Sequence, residues 1–445
     1  MSVNLPPAFL HQIRESLGAG LDDFVAALNK SAPVSVRYNP VKAMHLQKPE
    51  SRLMWAREAY YLEERKSFTA DPLFHAGAYY VQEASSMLIE QAYMKAFPMD
   101  VPALCIDLCA APGGKSTHLL SLMDSEGILI SNEIHPQRNA VLRQNIARWG
   151  FSNSIVTQLP VAGFSKLNAS ADLVLCDAPC SGEGLFRKDP DAINEWSPDN
   201  VQLCAQRQSD ILENAALLVK EGGFLIYSTC TYNHFENDDQ VQKLIDSSDW
   251  KIVDLELEFT GAVRTKSGWQ CYPHLVKGEG FYITLLQRIN DEDRSSKPGK
   301  SKMKLDKISF ESVVNIPEGY LTHRIGNLIH ILPEQHLNTM LRLMDILPVK
   351  SAGICFGEVK GNDLIPAPEL ALANVDLDEI PLIELNKEEA LGFLRCDAVI
   401  KSDCERGWNL ITYQHFHLGW VKVLQGRTNN YYPKNWRILK DLDRL

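Results

Sequence analysis

Two cysteines, each following an apolar run that stops abruptly, are the residues in this chain whose placement suggests chemistry. In residues 172–185, DLVLCDAPCSGEGL, the run ends at Asp177 and delivers Cys180 into a turn of small residues. In residues 223–232, GFLIYSTCTY, a second β-prone run breaks at Cys230. Runs of this length suit central strands of a parallel sheet, and Pro179, Gly182 and Gly184 forbid continuation of the first. Ligands of open α/β sheets bind at the carboxyl ends of strands. A lone cysteine is most often a small buried hydrophobe; two, presented by the same device with the Asp177 carboxylate beside them, suggest a dithiol site.

A third stretch adds a ligand. Residues 107–117, DLCAAPGGKST, form a loop of small residues opening a helix. Gly113 and Gly114 let a ligand approach the backbone, and helix N-terminal amides attract an anionic group such as a carboxylate. The GKS triplet superficially suggests a nucleoside-triphosphate loop, but that pattern needs glycine where Cys109 stands. About twenty positions on, Glu133 in ISNEIHP is placed either to hydrogen-bond a ribose diol or to cap the helix starting at His135-Pro136. Taken with the loop, it favours an adenosyl ligand.

The elements that must position these groups follow from periodicity. From about 104 to 288, apolar strands alternate with helical patterns, which means a doubly wound α/β sheet, Rossmann-like in class, of about seven strands. A long helix is expected from Glu236. We divide the chain into an α+β unit over 1–100, a core over 101–290, a linker over 291–304 and a mixed region over 305–445. The first unit opens with one or two short helices and contains a strand-like SVRYNP at 35–40. The linker, DEDRSSKPGKSKMK over its full length, is charged and almost free of apolar residues.

Composition narrows the class of partner. At 445 residues two or three domains are expected. No apolar run approaches the length of a bilayer span, and the ten cysteines lack paired C-x-x-C spacing. We therefore expect a soluble cytoplasmic protein with reduced thiols, no metal and no membrane contact. The net charge of −11 argues against a surface that attracts nucleic acid everywhere, while leaving room for local basic clusters such as Arg187-Lys188, 297–307 and 427–437.

With these residues in hand, a family resemblance is plain. DLCAAPGGKST, DAPCSGEGLFRKDP and YSTCTYNHFEND resemble the signature stretches of the Sun/NSUN family of S-adenosylmethionine-dependent RNA cytosine-5 methyltransferases. SVRYNP, YYVQEASSM and PHLVKGEGFY are similar to other motifs of that family, and GWVKVLQGRTNNYYPKNWRI is similar to the PUA-like RNA-binding end of its RsmF-type bacterial ribosomal RNA members. The resemblance implies a class I methyltransferase core. It implies that Cys109, Ala110, Ala111, Pro112, Gly113, Gly114 and Lys115 cradle the methionine part of S-adenosylmethionine, that Glu133 holds the ribose, and that Asp177 lies beside cofactor and base. It implies Cys230 as nucleophile and Cys180 as the group that releases product. Where many members carry an acidic adenine contact, this chain reads Thr157-Gln158-Leu159-Pro160, which leaves Gln158 as a substitute.

The implied chemistry explains two thiols. Carbon 5 of cytosine is a poor nucleophile until a thiolate adds to carbon 6, and the methylated adduct must lose its carbon-5 proton before that thiolate departs. The expected substrate is RNA, most readily small-subunit ribosomal RNA, bound by a monomer. Arg37, Lys188 and Arg207 are candidate RNA contacts, and Tyr431, Tyr432 and Trp436 near Lys434 and Arg437 suit either an RNA platform or a small domain's core. Transfer RNA as substrate, and a non-catalytic RNA-binding assembly factor, are the alternative readings.

Overall fold

Four short runs, Leu104–Asp107, Ile128–Asn132, Ser154–Thr157 and Ala171–Asp177, are apolar enough to be buried almost end to end. With Val219–Thr229 they form the parallel centre of a ten-stranded sheet, in the spatial order Ser154–Thr157, Ile128–Asn132, Leu104–Asp107, Ala171–Asp177, Val219–Thr229. The strand Phe281–Arg288 joins antiparallel, extended by Trp250–Val253, Trp269–Cys271 and Val263–Arg264. This computed structural model describes residues 4–289, 305, 314–361, 363–377, 380–399 and 404–439. The linker expected over 291–304 lies outside them.

The chain runs outward from Leu104–Asp107 in one direction and then returns to its other side at Ala171–Asp177. The crevice at a topological switch point opens where the order reverses. Here it lies between the loop after Asp107 and the loop after Asp177. Helices Gly114–Met123, Pro136–Trp149 and Pro198–Leu218 cover the sheet. The last starts sharply because Pro198 sits at its first position and the Ser197 hydroxyl accepts the Asn200 N–H at 3.1 Å. The helix expected from Glu236 is short, Asp238–Ile245, because polar residues follow and Ser248 turns the chain at φ +64° into Trp250–Val253.

The N-terminal residues form a three-stranded sheet of Ala59–Leu62, Val34–Tyr38 and Tyr79–Val81. Their two helices, Pro7–Leu17 and Leu21–Leu28, pack directly on the thiol-bearing loops. Phe9 meets Phe186 at 4.9 Å between ring centroids, and Phe24 meets Tyr232 at 5.2 Å. Towards the C-terminus lie two four-stranded sheets. Tyr432 is buried against Phe393, and Tyr431 packs on Trp408 at 4.5 Å. Of the two roles open to these aromatics, the geometry shows the core role for Tyr432.

A boundary near 290 cuts across one continuous core. The strand Val349–Ala352 pairs antiparallel with Ser154–Thr157 and forms the far edge of the central sheet. Leu332, Met340, Leu343, Leu347 and Ala352 share a buried cluster with Ile106, Ile130 and Val174. Ending the chain at residue 289 would expose that apolar face and leave Ser154–Thr157 as an unpaired edge. At about 1.5–3 kcal/mol per buried aliphatic side chain, we expect aggregation on gel filtration or a Tm lower by about 10 °C or more. A monodisperse 1–289 fragment melting with the full chain would refute the shared core.

Candidate active site

The two thiols converge. Cys180 Sγ and Cys230 Sγ stand 3.0 Å apart, and the Cys230 backbone N–H donates to Cys180 Sγ at 3.4 Å. The hydrogen bond with Cys230, reinforced by burial, pushes the Cys180 thiol well above its ordinary pKa, so Cys180 stays protonated at neutral pH.

Two buried carboxylates that the sequence reading passed over set this juxtaposition. Glu183, fully buried, accepts bonds from the Tyr232 N–H at 2.8 Å, the Asn233 N–H at 3.2 Å, Trp196 Nε1 at 3.0 Å and Gln12 Nε2 at 2.8 Å. It ties the Cys180 loop to the Cys230 loop and to the first helix. Glu236 reaches the other way, accepting from the Ser181 N–H at 2.9 Å, the Ser181 hydroxyl, Gln208 Nε2 at 2.8 Å and Asn233 Nδ2 at 2.7 Å. Burial raises its pKa against those donors. Gly184 completes the seam: its N–H donates to the Cys230 carbonyl at 2.8 Å, and a Cβ there would sit 2.9 Å from that oxygen. Residue type alone does not separate such buried carboxylates from surface ones; the repeated S-G-E and N-H-F-E settings beside each cysteine were the available signal.

In front of the thiols is a cavity of about 290 Å³, lined by Cys109 to Pro112, Gly114, Lys115, Asp177, Cys230 and Lys188 among others. Lys115 Nζ pairs with Asp177 Oδ2 at 2.8 Å, and the Ser228 hydroxyl donates to Asp177 Oδ1 at 2.8 Å. Burial pulls the Lys115 pKa down, but its pairing and hydrogen bond with Asp177, reinforced by the neighbouring Cys230 and Asp107, outweigh burial and leave it raised. Lys115 is therefore a fixed cation facing the site. Among the described residues no side chain caps the helix Gly114–Met123, so its first N–H groups are open to an anionic ligand.

Other candidates fall elsewhere. Glu133 is buried outside the cavity lining: Oε1 accepts the His135 N–H at 2.8 Å and Oε2 pairs with Arg138 at 3.2 Å. Gln158 Nε2 donates to the Ile134 carbonyl at 3.3 Å. Lys188 and Arg207 are exposed, Lys188 at the cavity and Arg207 on the outer face of Pro198–Leu218.

Arg37 requires a correction. Expected to touch RNA, it is 1% exposed, and its guanidinium donates to Gln82 Oε1, Ser121 Oγ, Thr117 Oγ1 and the Gly114 and Thr117 carbonyls. It also lies over the Trp149 ring at 4.5 Å. Every direction its planar fork offers is taken within the protein, so it fixes the N-terminal sheet to the helix that follows the loop after Asp107.

Comparison with known proteins agrees with this architecture. Family models match residues 98–287 as 16S rRNA methyltransferase RsmB/F, residues 5–84 as the N-terminal domain of 16S rRNA methyltransferase RsmF, and residues 381–438 as the methyltransferase RsmF PUA domain. Ribosomal RNA small subunit methyltransferase F of Escherichia coli O127:H6 is 30% identical over 97% of this chain and 96% of its own. The protein of the same name from Cronobacter sakazakii is 31% identical with the same coverage. A crystal structure of a methyltransferase homologue from Pyrococcus horikoshii has a TM-score of 0.55 at 26% identity, covering 64% of this chain and 96% of that one.

Beneath the cofactor loop, Asp107 is fully buried and accepts the Ser116 hydroxyl at 2.6 Å. Burial, opposed by that bond, raises its pKa to about 7. An unfolded aspartate titrates near 4, so between about 4 and 7 the folded state holds a proton that the unfolded state does not. This contribution to stability is complete below about 4 and is lost as pH rises through 7. Asp107→Asn carries no such proton. Urea denaturation should therefore show the variant gaining roughly 2–4 kcal/mol on wild type between pH 4 and pH 7.5; a difference independent of pH would contradict a raised Asp107.

Proposed function

Because the chain belongs to the RsmF family of ribosomal RNA small subunit methyltransferases, we propose that it methylates carbon 5 of a cytosine in small-subunit ribosomal RNA. Cys230 is the nucleophile in this reading and Cys180 assists its release. The observation that carries it is the pair of thiols 3.0 Å apart, one of them on the wall of a cavity shared with the Lys115–Asp177 ion pair. Simple deposition of a methyl group on an already nucleophilic atom needs no thiol. Activating a ring carbon does, and covalent addition makes it nucleophilic.

The residues present fit S-adenosylmethionine, which supplies an electrophilic methyl group on a sulfonium. The uncapped start of Gly114–Met123 suits its carboxylate, and the small side chains of Cys109 to Gly114 leave room beside it. Glu133 is the residue assigned to the ribose and Gln158 to the adenine.

For the base, Asp177 is oriented by Lys115 and Ser228, and its carboxylate meets the ring nitrogen or exocyclic amine of cytosine. The Lys115 ammonium is within electrostatic reach of the Cys230 sulfur. Addition to carbon 6 then turns the ring into an enamine, nucleophilic at carbon 5. Cys180, held as a thiol, has an S–H to offer the departing Cys230 sulfur. The target base must be unstacked to enter the cavity, and Lys188 at its rim is the cation placed for the adjoining phosphate.

Two measurements check this. Cys180→Ala incubated with ribosomal RNA or small subunits and S-adenosylmethionine should leave a covalent protein–RNA band on a denaturing gel, absent when Cys230→Ala is added. No band with any of these RNAs, from a protein whose wild type also transfers no methyl group, would sink the reading. In titrations of RNA affinity against salt, Lys188→Ala should reduce the slope by about one, whereas an unchanged slope would remove Lys188 from the RNA contacts.

A further inference from the structure

The Cys180 thiol that aids departure of Cys230 is held protonated, which makes it a poor acceptor for the carbon-5 proton. A base is still needed, and three carboxyl groups line the cavity: Glu83, Asp177 and Glu279. Glu83 is fully engaged. Its Oε1 accepts the N–H groups of Ser85 at 2.9 Å and Glu279 at 2.8 Å, and its Oε2 accepts the Ser85 hydroxyl at 2.7 Å and the Ser86 N–H at 2.8 Å. Asp177 has one oxygen on Lys115 and the other on Ser228. Glu279 is different: it is 4% exposed, and neither side-chain oxygen has a hydrogen-bond partner among the described residues. A buried carboxyl with no partner costs stability, which points to a function that uses it.

Its position is fixed from both sides. A Cβ on Gly280 would lie 2.4 Å from the Tyr232 ring, and a Cβ on Gly184 would lie 2.7 Å from the Gly280 carbonyl. The segment carrying Glu279 is thus wedged between the two thiol loops. Phe281, two residues on, faces the Lys115 ammonium at 5.2 Å.

We propose that Glu279 is the general base that removes the proton from carbon 5, an assignment that rests on the cytosine-5 reading. Once carbon 5 bears both hydrogen and methyl, its C–H bond breaks and the proton passes to a Glu279 oxygen. The electron pair forms the carbon 5–carbon 6 double bond as the carbon 6–sulfur bond breaks, and Cys230 leaves as thiolate beside the Cys180 S–H. Glu279 then returns its proton to solvent. The groups facing Glu279 are Glu83, Arg187, Lys188 and Tyr232, with Lys115, Asp177 and Cys230 across the cavity. Burial and the Glu83 charge raise its pKa to about 7 against the pull of Arg187 and Lys188, near the value at which a base is both available and strong.

The test uses the full-length protein, methyl-labelled S-adenosylmethionine, and ribosomal RNA carrying tritium at cytosine carbon 5. Glu279→Gln should transfer one methyl group per protein onto RNA that stays covalently attached, while tritium release at pH 7.5 falls about 100-fold. Glu279→Asp should recover part of that loss. In wild type, tritium release should climb with pH through about 7, and in Glu279→Gln that limb should vanish. Wild-type rates and profile in Glu279→Gln would overturn the assignment, as would loss of methyl transfer and adduct together. Should the variant not fold, a flat wild-type profile from pH 6 to 8 overturns it alone. Wild type that methylates RNA without releasing tritium refutes the cytosine-5 reading itself, an outcome distinct from a silent Glu279 substitution.

Discussion

The arrangement of the site depends on two carboxylates placed where water cannot reach them. Glu183 and Glu236 are each fully buried, and burying a carboxylate is costly unless its oxygens are met by donors. The donors come from both thiol loops: backbone N–H groups of Ser181, Tyr232 and Asn233, with the side chains of Asn233, Gln208 and Trp196. The desolvation cost thereby becomes a geometric constraint. If either loop drifts, charge is left unpaired in a low-dielectric interior, so the two sulfurs are held in register more firmly than apolar packing would hold them.

The same economy of placement runs outward. The two N-terminal helices rest their aromatic face on Phe186, Trp196, Tyr232 and Tyr272, residues that follow the cysteines in the chain. Gln12 of the first helix bonds to Glu183 itself. Arg37 performs a comparable task for the loop after Asp107, joining the N-terminal sheet to Gly114 and Thr117. At the far edge of the sheet, Val349–Ala352 closes what would otherwise be an open strand. Segments distant in sequence therefore stabilise the two thiol loops directly, and the site depends on more of the chain than its central unit.

Much of this was legible beforehand, and the exceptions share a cause. Periodicity located the strands that carry Asp107 and Asp177 and the one that ends just before Cys230, because burial of a parallel strand requires an apolar run and the change to small or polar residues marks its end. The convergence of the two thiols followed from two such strands being neighbours. What the pattern did not reveal was the partner of each charge. Arg37 and Lys188 are both cations in the sequence, yet one is sealed against Trp149 and the other is exposed at the cavity. The strand-like SVRYNP pattern placed Arg37 on a strand without saying that its face was covered. The strand contributed by 349–352 was missed for a related reason: β-pairing between residues some two hundred positions apart leaves no local signal.

Five acidic side chains around one small site show how environment makes different reagents from one functional group. Asp177 is held by Lys115 and Ser228, and Glu83 is satisfied by four donors. Glu236, surrounded by donors, still has a raised pKa because its burial is deeper than its bonds repay. Asp107 and Glu279 are pushed to about 7, the first mainly by burial against the Ser116 hydroxyl, the second by burial and a neighbouring carboxylate. A chain with a net charge of −11 thus presents RNA with a site in which carboxyl groups of graded basicity surround one fixed ammonium. Affinity for a polyanion must come from cations at the rim, while the acids in the interior are free to be set for proton transfer. That division explains how an acidic protein can serve a nucleic-acid substrate without a basic surface.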